Sequence, residues 1–240
     1  MKNKSRKACI EKVSILDVVL NAEGDETSML KDDIKTFSCE IKIPFLIHFT
    51  RVGNLPSIMQ NGIYPVGRTD EIGATPEIND VYRWDGKRNS TSVSIAFPNA
   101  PMFYKYRMEN PGVDWAVLVL DPAIMLDKTC AFCRHNAADA RISKLQLSEL
   151  KTIEALKGMY EPIDGLETRD EQKLKPYDPT DVQAEILVFD VIEPKYIAGA
   201  VFDKTTVRDK FATILGPVKT YIHATNKGMF ATRGYFRKYQ

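Results

Sequence analysis

The sequence predicts a mixed α+β domain, and three features carry that expectation. Short apolar runs of strand length recur along the chain, such as 115–120 (Trp-Ala-Val-Leu-Val-Leu) and 184–191. Segments with helical apolar spacing stand among them. The connections are irregular, and two are long, polar and rich in charge, at 66–89 and 161–180.

The elements follow in order. Ile10, Val13, Leu16, Val19 and Leu20 fit one helical face, and the polar residues 21–26 then predict a break. Residues 43–49 form a compact apolar strand with Pro44 near its start. Residues 54–61 read as a short helix with Leu55, Ile58 and Met59 on one side, ended by Gly62. Residues 92–97 alternate and stop at Pro98, which predicts a strand, and 102–108 follow as a helix. The run 115–120 is a strand closed by Asp121 and Pro122, and 136–157 is mostly helical. Strands are expected at 184–191, 196–202 and 218–224. A helix is expected at 206–215, with Val207, Phe211 and Ile214 on one face.

Composition bounds the class. The chain has 240 residues, enough to bury a sizeable core without covalent staples. Its hydrophobic fraction of 44% and charged fraction of 27% are those of a globular protein, so disorder throughout is excluded. There are no internal repeats. A formal net charge of +1 excludes a broad basic field, so any nucleic-acid contact must come from a local patch. The stretch 227–240 offers one. Lys227, Arg233, Arg237 and Lys238 stand among Phe230, Tyr235, Phe236 and Tyr239, which suits phosphates and stacked bases of a single strand. A C-terminal edge strand with a solvated face fits the same residues equally well.

Cys130 and Cys133 form Cys-Ala-Phe-Cys with His135 nearby, but no second close pair completes a zinc site. Buried thiols are the favoured reading. The basic N-terminus is not followed by an apolar signal core, and no apolar run is long enough to span a membrane. A cytoplasmic protein is expected.

Three segments carry candidate chemistry. Glu185 opens the apolar strand 184–191, directly after a long polar loop. A carboxylate there can be fixed by the sheet while its head meets a cleft, to hold a sugar hydroxyl, stabilise a cationic sugar or take a proton. Taken alone, a strand-end glutamate is more often a surface charge. His48, Phe49 and Thr50 end the first strand where a helix begins, a corner suited to a ribose or a pyrophosphate. A histidine on an apolar strand is equally an ordinary core residue. Phe97, Met102, Phe103, Tyr104 and Tyr106 fit an aromatic pocket or plain core.

These segments together resemble one family. The patterns are I-H-F-T-x-x-x-N-L-x-x-I-x-x-x-G-I, then F-P-N-x-x-M-F-Y, W-A-V-L-x-L-D, N-A-A and D-x-Q-A-E-I-L-V. In that order, over about residues 43–205, they look like DarT, the toxin of DarT–DarG toxin–antitoxin pairs. The resemblance implies an ADP-ribosyltransferase-like α+β fold, with two packed, mostly antiparallel sheets and flanking helices clasping NAD. It implies transfer of ADP-ribose from NAD to a thymine or guanine base of single-stranded DNA, with release of nicotinamide. It also implies an antitoxin partner that removes the modification, DarG-like or another ADP-ribosyl-glycohydrolase.

Residue by residue, Glu185 matches the catalytic glutamate. His48, Phe49, Thr50, Asn54 and Gly62 fall in the segment that binds NAD, and Phe97, Met102 and Tyr104 in the one beside nicotinamide. Residues 158–181 match the loop that recognises substrate. The family's loop arginine is assigned to Arg83, with Arg68 and Arg88 as alternatives. Residues 1–42 are expected to be an accessory extension, 43–240 the transferase domain, and the protein a monomer. Within the same fold, an RNA or protein acceptor is the competing reading. From another class, the competitor is a non-catalytic nucleic-acid-binding module.

Overall fold

The computed structural model describes residues 15–73, 75–77 and 86–239. Seven strands form one sheet in the order β4-β5-β2-β1-β3-β6-β7. They are β1 (Leu46–Arg51), β2 (Thr91–Ile95), β3 (Trp115–Leu120), β4 (Cys130–Cys133), β5 (Glu185–Val188), β6 (Ile197–Phe202) and β7 (Lys219–Ile222). All pairings are antiparallel except β6 with β7.

The α+β class is as the sequence predicts. The resemblance implies two packed sheets, whereas the seven strands are joined in one, as two groups linked by a thin seam. β1 pairs with β3 along its whole length, from Leu46↔Leu120 to Arg51↔Trp115. With β2 it pairs only at Leu46↔Ile95 and Ile47↔Ser94. Beyond that point β2 turns to β5, through Thr91↔Val188, Ser92↔Leu187 and Val93↔Ile186. The sheet therefore splits beside His48, and the split is the root of the cleft.

Both faces of the sheet are covered, which explains why β3 is apolar without alternation. Ala116, Leu118 and Leu120 face the main core, with Phe202, Ile186 and Val188. Trp115 and Val117 face a second cluster with Ile47, Phe103 and Phe230. Phe49 stacks on Phe103 at 4.7 Å between ring centres. Successive strand side chains point to opposite faces, so each run of six apolar residues feeds two cores at once.

Nine α-helical segments among the described residues flank the sheet. α1 (Ile15–Glu40) runs through 21–26, where the sequence predicted a break. Its later turns bring Ile34 into the main core, with Leu30 and Phe37 packed against it. α2 (Leu55–Asn61) follows β1 and ends at Gly62, whose φ of 95° and position make glycine necessary. A Cβ there would lie 2.6 Å from the Ile192 carbonyl oxygen. α3 (Ala100–Glu109) starts at Asn99, whose side chain accepts from the Met102 N–H. Then comes α4 (Ile124–Asp127).

The expected long helix over 136–157 is instead three short ones: α5 (Ala140–Ser143), α6 (Leu147–Leu150) and α7 (Ile153–Gly158). Asp139, Gln146 and Thr152 each restart the chain as a cap, which the apolar count alone did not reveal. α8 (Thr205–Leu215) buries Val207 and Phe211.

The C-terminal stretch is α9 (Arg233–Tyr239), not an edge strand. Cys130 and Cys133 lie on β4, a strand the sequence reading did not assign. Three positions apart on a strand, they face opposite clusters, so they cannot share a metal or a disulfide. Both are buried, and burial pushes the Cys130 thiol up to about 12. Among the described residues no helix is long and apolar enough to cross a membrane.

Candidate active site

The split between β1 and β2 opens a cleft lined on one side by His48, Phe49, Thr50 and Asn54, and on the other by Ser92, Ser94 and Glu185. Gly62 and Met102 also line it. Eight of the sequence candidates, Tyr106 among them, thus meet in one place, although 137 residues separate His48 from Glu185 along the chain.

Glu185 is the first residue of β5, opposite Cys133 of β4. It is only 7% exposed, which sets it apart from a solvated strand-end charge. Its Oε1 accepts from the backbone N–H of Ala137 at 2.5 Å. The turn after β4 therefore aims an amide at the carboxylate. That same turn is tied down by His135, whose Nδ1 lies 2.7 Å from Asp181 Oδ2. Gln183 N–H and Ala184 N–H bond back to Asp181, which closes the turn leading into Glu185.

Across the cleft, His48 Nδ1 donates to the Ser92 carbonyl at 3.1 Å. A carbonyl oxygen only accepts, so the hydrogen bond sets the proton on Nδ1. This side chain bridges the two strands where their ladder has stopped. Thr50 is 2% exposed, and its Oγ1 accepts from Asn54 Nδ2 at 3.0 Å. Asn54 also holds Glu77 by its backbone, receiving from its N–H at 2.9 Å and donating to its carbonyl at 3.1 Å. Asn54 thereby pins the loop at 75–77 to the cleft rim.

Phe97 and Tyr104 lie outside the cleft. Phe97 is 2% exposed and packs against Phe236 of α9, with ring centres 5.5 Å apart. Tyr104 is 53% exposed, on the part of α3 next to Arg107. Tyr106 lines the cleft instead, one helical turn after Met102. The signal was available, because positions four apart share a helix face and positions two apart do not. Asn99, Ser92 and Asn136 also line the cleft and were not chosen from sequence. Asn99 had a signal in its place as a helix cap. Ser92 and Asn136 had none.

Arg83 lies outside the described residues. Of its alternatives, Arg68 is committed elsewhere, bidentate to Glu71 at 2.7 and 3.0 Å and bonded to Asp190 at 3.2 Å. These carboxylates, Glu71 first, hold its guanidinium above its ordinary pKa. Arg88 is exposed on the loop.

The cleft suits a dinucleotide. Phe49, Met102 and Tyr106 give apolar walls, and hydroxyls, amides and one carboxylate give points of polar attachment. Thr91, on the same wall, has a buried Oγ1 with no hydrogen-bond partner among the described residues. A buried hydroxyl left in that state is costly.

A family model described as "ssDNA thymidine ADP-ribosyltransferase, DarT" matches residues 47–231. Among solved structures, Thermosipho africanus DarTG in complex with ADP-ribose is 20% identical, with a TM-score of 0.51. That match covers 74% of this chain and 49% of the other, so this chain spans about half its length. Thermus sp. 2.9 DarT in complex with ADP-ribosylated ssDNA is 13% identical, with a TM-score of 0.51 over 76% of this chain and 95% of that one. The same Thermus protein in complex with NAD+ is 15% identical, with a TM-score of 0.47 over 75% and 96%. No curated protein matches.

Proposed function

The chain belongs to the DarT family, the ssDNA thymidine ADP-ribosyltransferases, and from that premise we propose that it transfers ADP-ribose from NAD to thymine in single-stranded DNA, with Glu185 as the catalytic carboxylate. The observation that carries the assignment is Glu185 itself, a carboxylate buried at the mouth of the split sheet and held by the Ala137 amide.

The chemistry needs one bond broken and one made. The bond between nicotinamide and ribose C1′ breaks, nicotinamide leaves, and positive charge develops on the sugar. A fixed carboxylate in a cleft shielded from water stabilises that charge. The acceptor nitrogen then bonds to C1′. In thymidine only one ring nitrogen carries a proton, and it is a poor nucleophile until that proton leaves. In this reading Glu185 takes it. A single strand is required because pairing and stacking bury that nitrogen in a duplex.

The other groups hold and orient. His48, Thr50 and Asn54 form the polar corner for NAD, with Gly62 at the turn behind it, and Met102 and Tyr106 wall the nicotinamide. Arg83 remains our assignment for the loop arginine that grips a phosphate or the attacked base. We assign residues 43–240 as the transferase domain and 1–42 as an accessory segment. We further propose that the protein acts in the cytoplasm as a monomeric toxin, away from membranes, and that an ADP-ribosyl-glycohydrolase of the DarG kind reverses the modification.

The test is incubation with NAD and oligonucleotides of each base, single-stranded and duplex, read by mass spectrometry. Single strands containing thymine should gain the mass of one ADP-ribose. Equal labelling of duplex, or a mass shift on protein alone, would reject the DNA assignment.

A further inference from the structure

The segment that leads into Glu185 is gripped by arginines, and two of them come from the last helix of the chain. Arg237 of α9 holds Asp178 bidentately, with Nε and Nη2 each 2.7 Å from a carboxylate oxygen. Asp178 is fully buried, and the Arg237 side chain is 8% exposed. Arg233, itself 5% exposed, donates from Nη1 to the Pro179 carbonyl at 2.6 Å and from Nη2 to the Thr180 carbonyl at 3.0 Å. From within the loop, Arg169 adds bonds to the Asp178 carbonyl at 2.7 Å and to Thr180 Oγ1 at 3.2 Å. Three consecutive residues, 178–180, are each held by guanidinium forks. The next residue is Asp181, which pairs with His135, and four residues later comes Glu185.

Burying cations is an expensive way to fasten a terminal helix. Desolvation lowers the Arg233 pKa to about 10. Apolar side chains of similar volume would commonly hold a helix as well or better. What a guanidinium adds is direction, since its planar fork fixes distance and angle to two acceptors at once. Here the fixed acceptors are the carbonyls and carboxylate just ahead of β5. α9 also lies beyond residue 231, where the family match ends.

We propose that Arg233 and Arg237 are positioning residues of the transferase, which set the place of Glu185 in the cleft by fixing Asp178, Pro179 and Thr180. Two basic residues of the C-terminal stretch, Arg233 and Arg237, then act inward on the site, and α9 completes it. This rests on Glu185 being catalytic.

The experiment compares Arg233→Lys, Arg237→Lys and Glu185→Gln with the wild-type full chain. Lysine keeps the charge and loses the fork. Each lysine variant should lose roughly 10–100-fold in kcat, as expected for a displaced catalytic group, with KM for NAD within about two-fold of wild type. Circular dichroism and thermal melting should show both folded at the assay temperature. In a Glu185→Asp background, where the carboxylate is already displaced, adding Arg237→Lys should cost much less than it does alone. A merely structural clamp would give the same loss in both backgrounds. Folded lysine variants with wild-type kcat, or losses that only track the unfolded fraction, would overturn the inference and leave the role of Glu185 standing. An active Glu185→Gln would remove both.

Discussion

Glu185 Oε1 and the backbone N–H of Ala137 are 2.5 Å apart, so the site's central carboxylate is aimed by the main chain of a neighbouring turn. A backbone donor cannot rotate away as a side chain can. Glu185→Gln keeps the shape and one acceptor oxygen for Ala137 but removes the charge and the base. Transfer should fall about 10²–10⁴-fold, as is usual when a general base is lost. The melting temperature should stay close to wild type. Single-turnover labelling of a thymine oligonucleotide, with a melt on the same preparation, measures both.

Tyr106 and Tyr104 differ by two positions on α3 and should differ in effect. Tyr106 lines the cleft, and Tyr104 is 53% exposed. Tyr106→Ala should raise KM for NAD several-fold, on the order of 1 kcal/mol of lost aromatic contact. Tyr104→Ala should leave KM unchanged. Steady-state kinetics on the pair decides, and equal effects would argue against the cleft as the NAD site.

Asn54 ties Thr50 and the Glu77 backbone together with three hydrogen bonds. Asn54→Ala should release the 75–77 loop and cost about 1–2 kcal/mol, since partly exposed hydrogen bonds are each worth about 1 kcal/mol or less. Urea unfolding reads the stability. Amide exchange should show protection lost at Glu77 ahead of the sheet, and unchanged exchange there would contradict the clamp.

His223 gives a pH dependence with a definite sign. Burial lowers its pKa from 6.5, and its Nδ1 accepts from the Met229 N–H at 3.1 Å, which needs the neutral ring. The unfolded chain therefore binds this proton at a higher pH than the folded one. Stability from this site is whole above about pH 6.5, and it is lost as pH falls from there through the lowered folded value. Melts between pH 7.5 and 5 should show a steeper acid loss for wild type than for His223→Gln, whose amide oxygen can accept the same bond without titrating. Parallel curves would rule out His223 as a source of the acid sensitivity.

How much of this could be read in advance differs from element to element. Runs such as 115–120 and 197–202 were legible as strands because a strand covered on both faces leaves a nearly continuous apolar signature. β4 was missed because Cys-Ala-Phe-Cys is too short to show a period. α9 was open to an edge-strand reading because its aromatic and basic residues suit either structure. Arg233 and Arg237 looked like a surface for phosphates, and their buried partners lie 53–59 residues away in the chain.

The sequence by itself determined the family, six of the seven strands in their order along the chain, and Glu185, His48, Thr50, Asn54 and Met102 as the candidates that meet in the cleft. Those follow from local patterns, carried by residue type and spacing. Only the tertiary structure decided that β1 and β2 part after two residue pairs, that the α3 face bearing Met102 and Tyr106 meets the cleft, and that Arg233 and Arg237 turn inward. The reason is the same in each case. Where a ladder stops, which helix face meets a cleft, and which carbonyl a guanidinium reaches depend on contacts between residues far apart in the chain, and no local pattern encodes them.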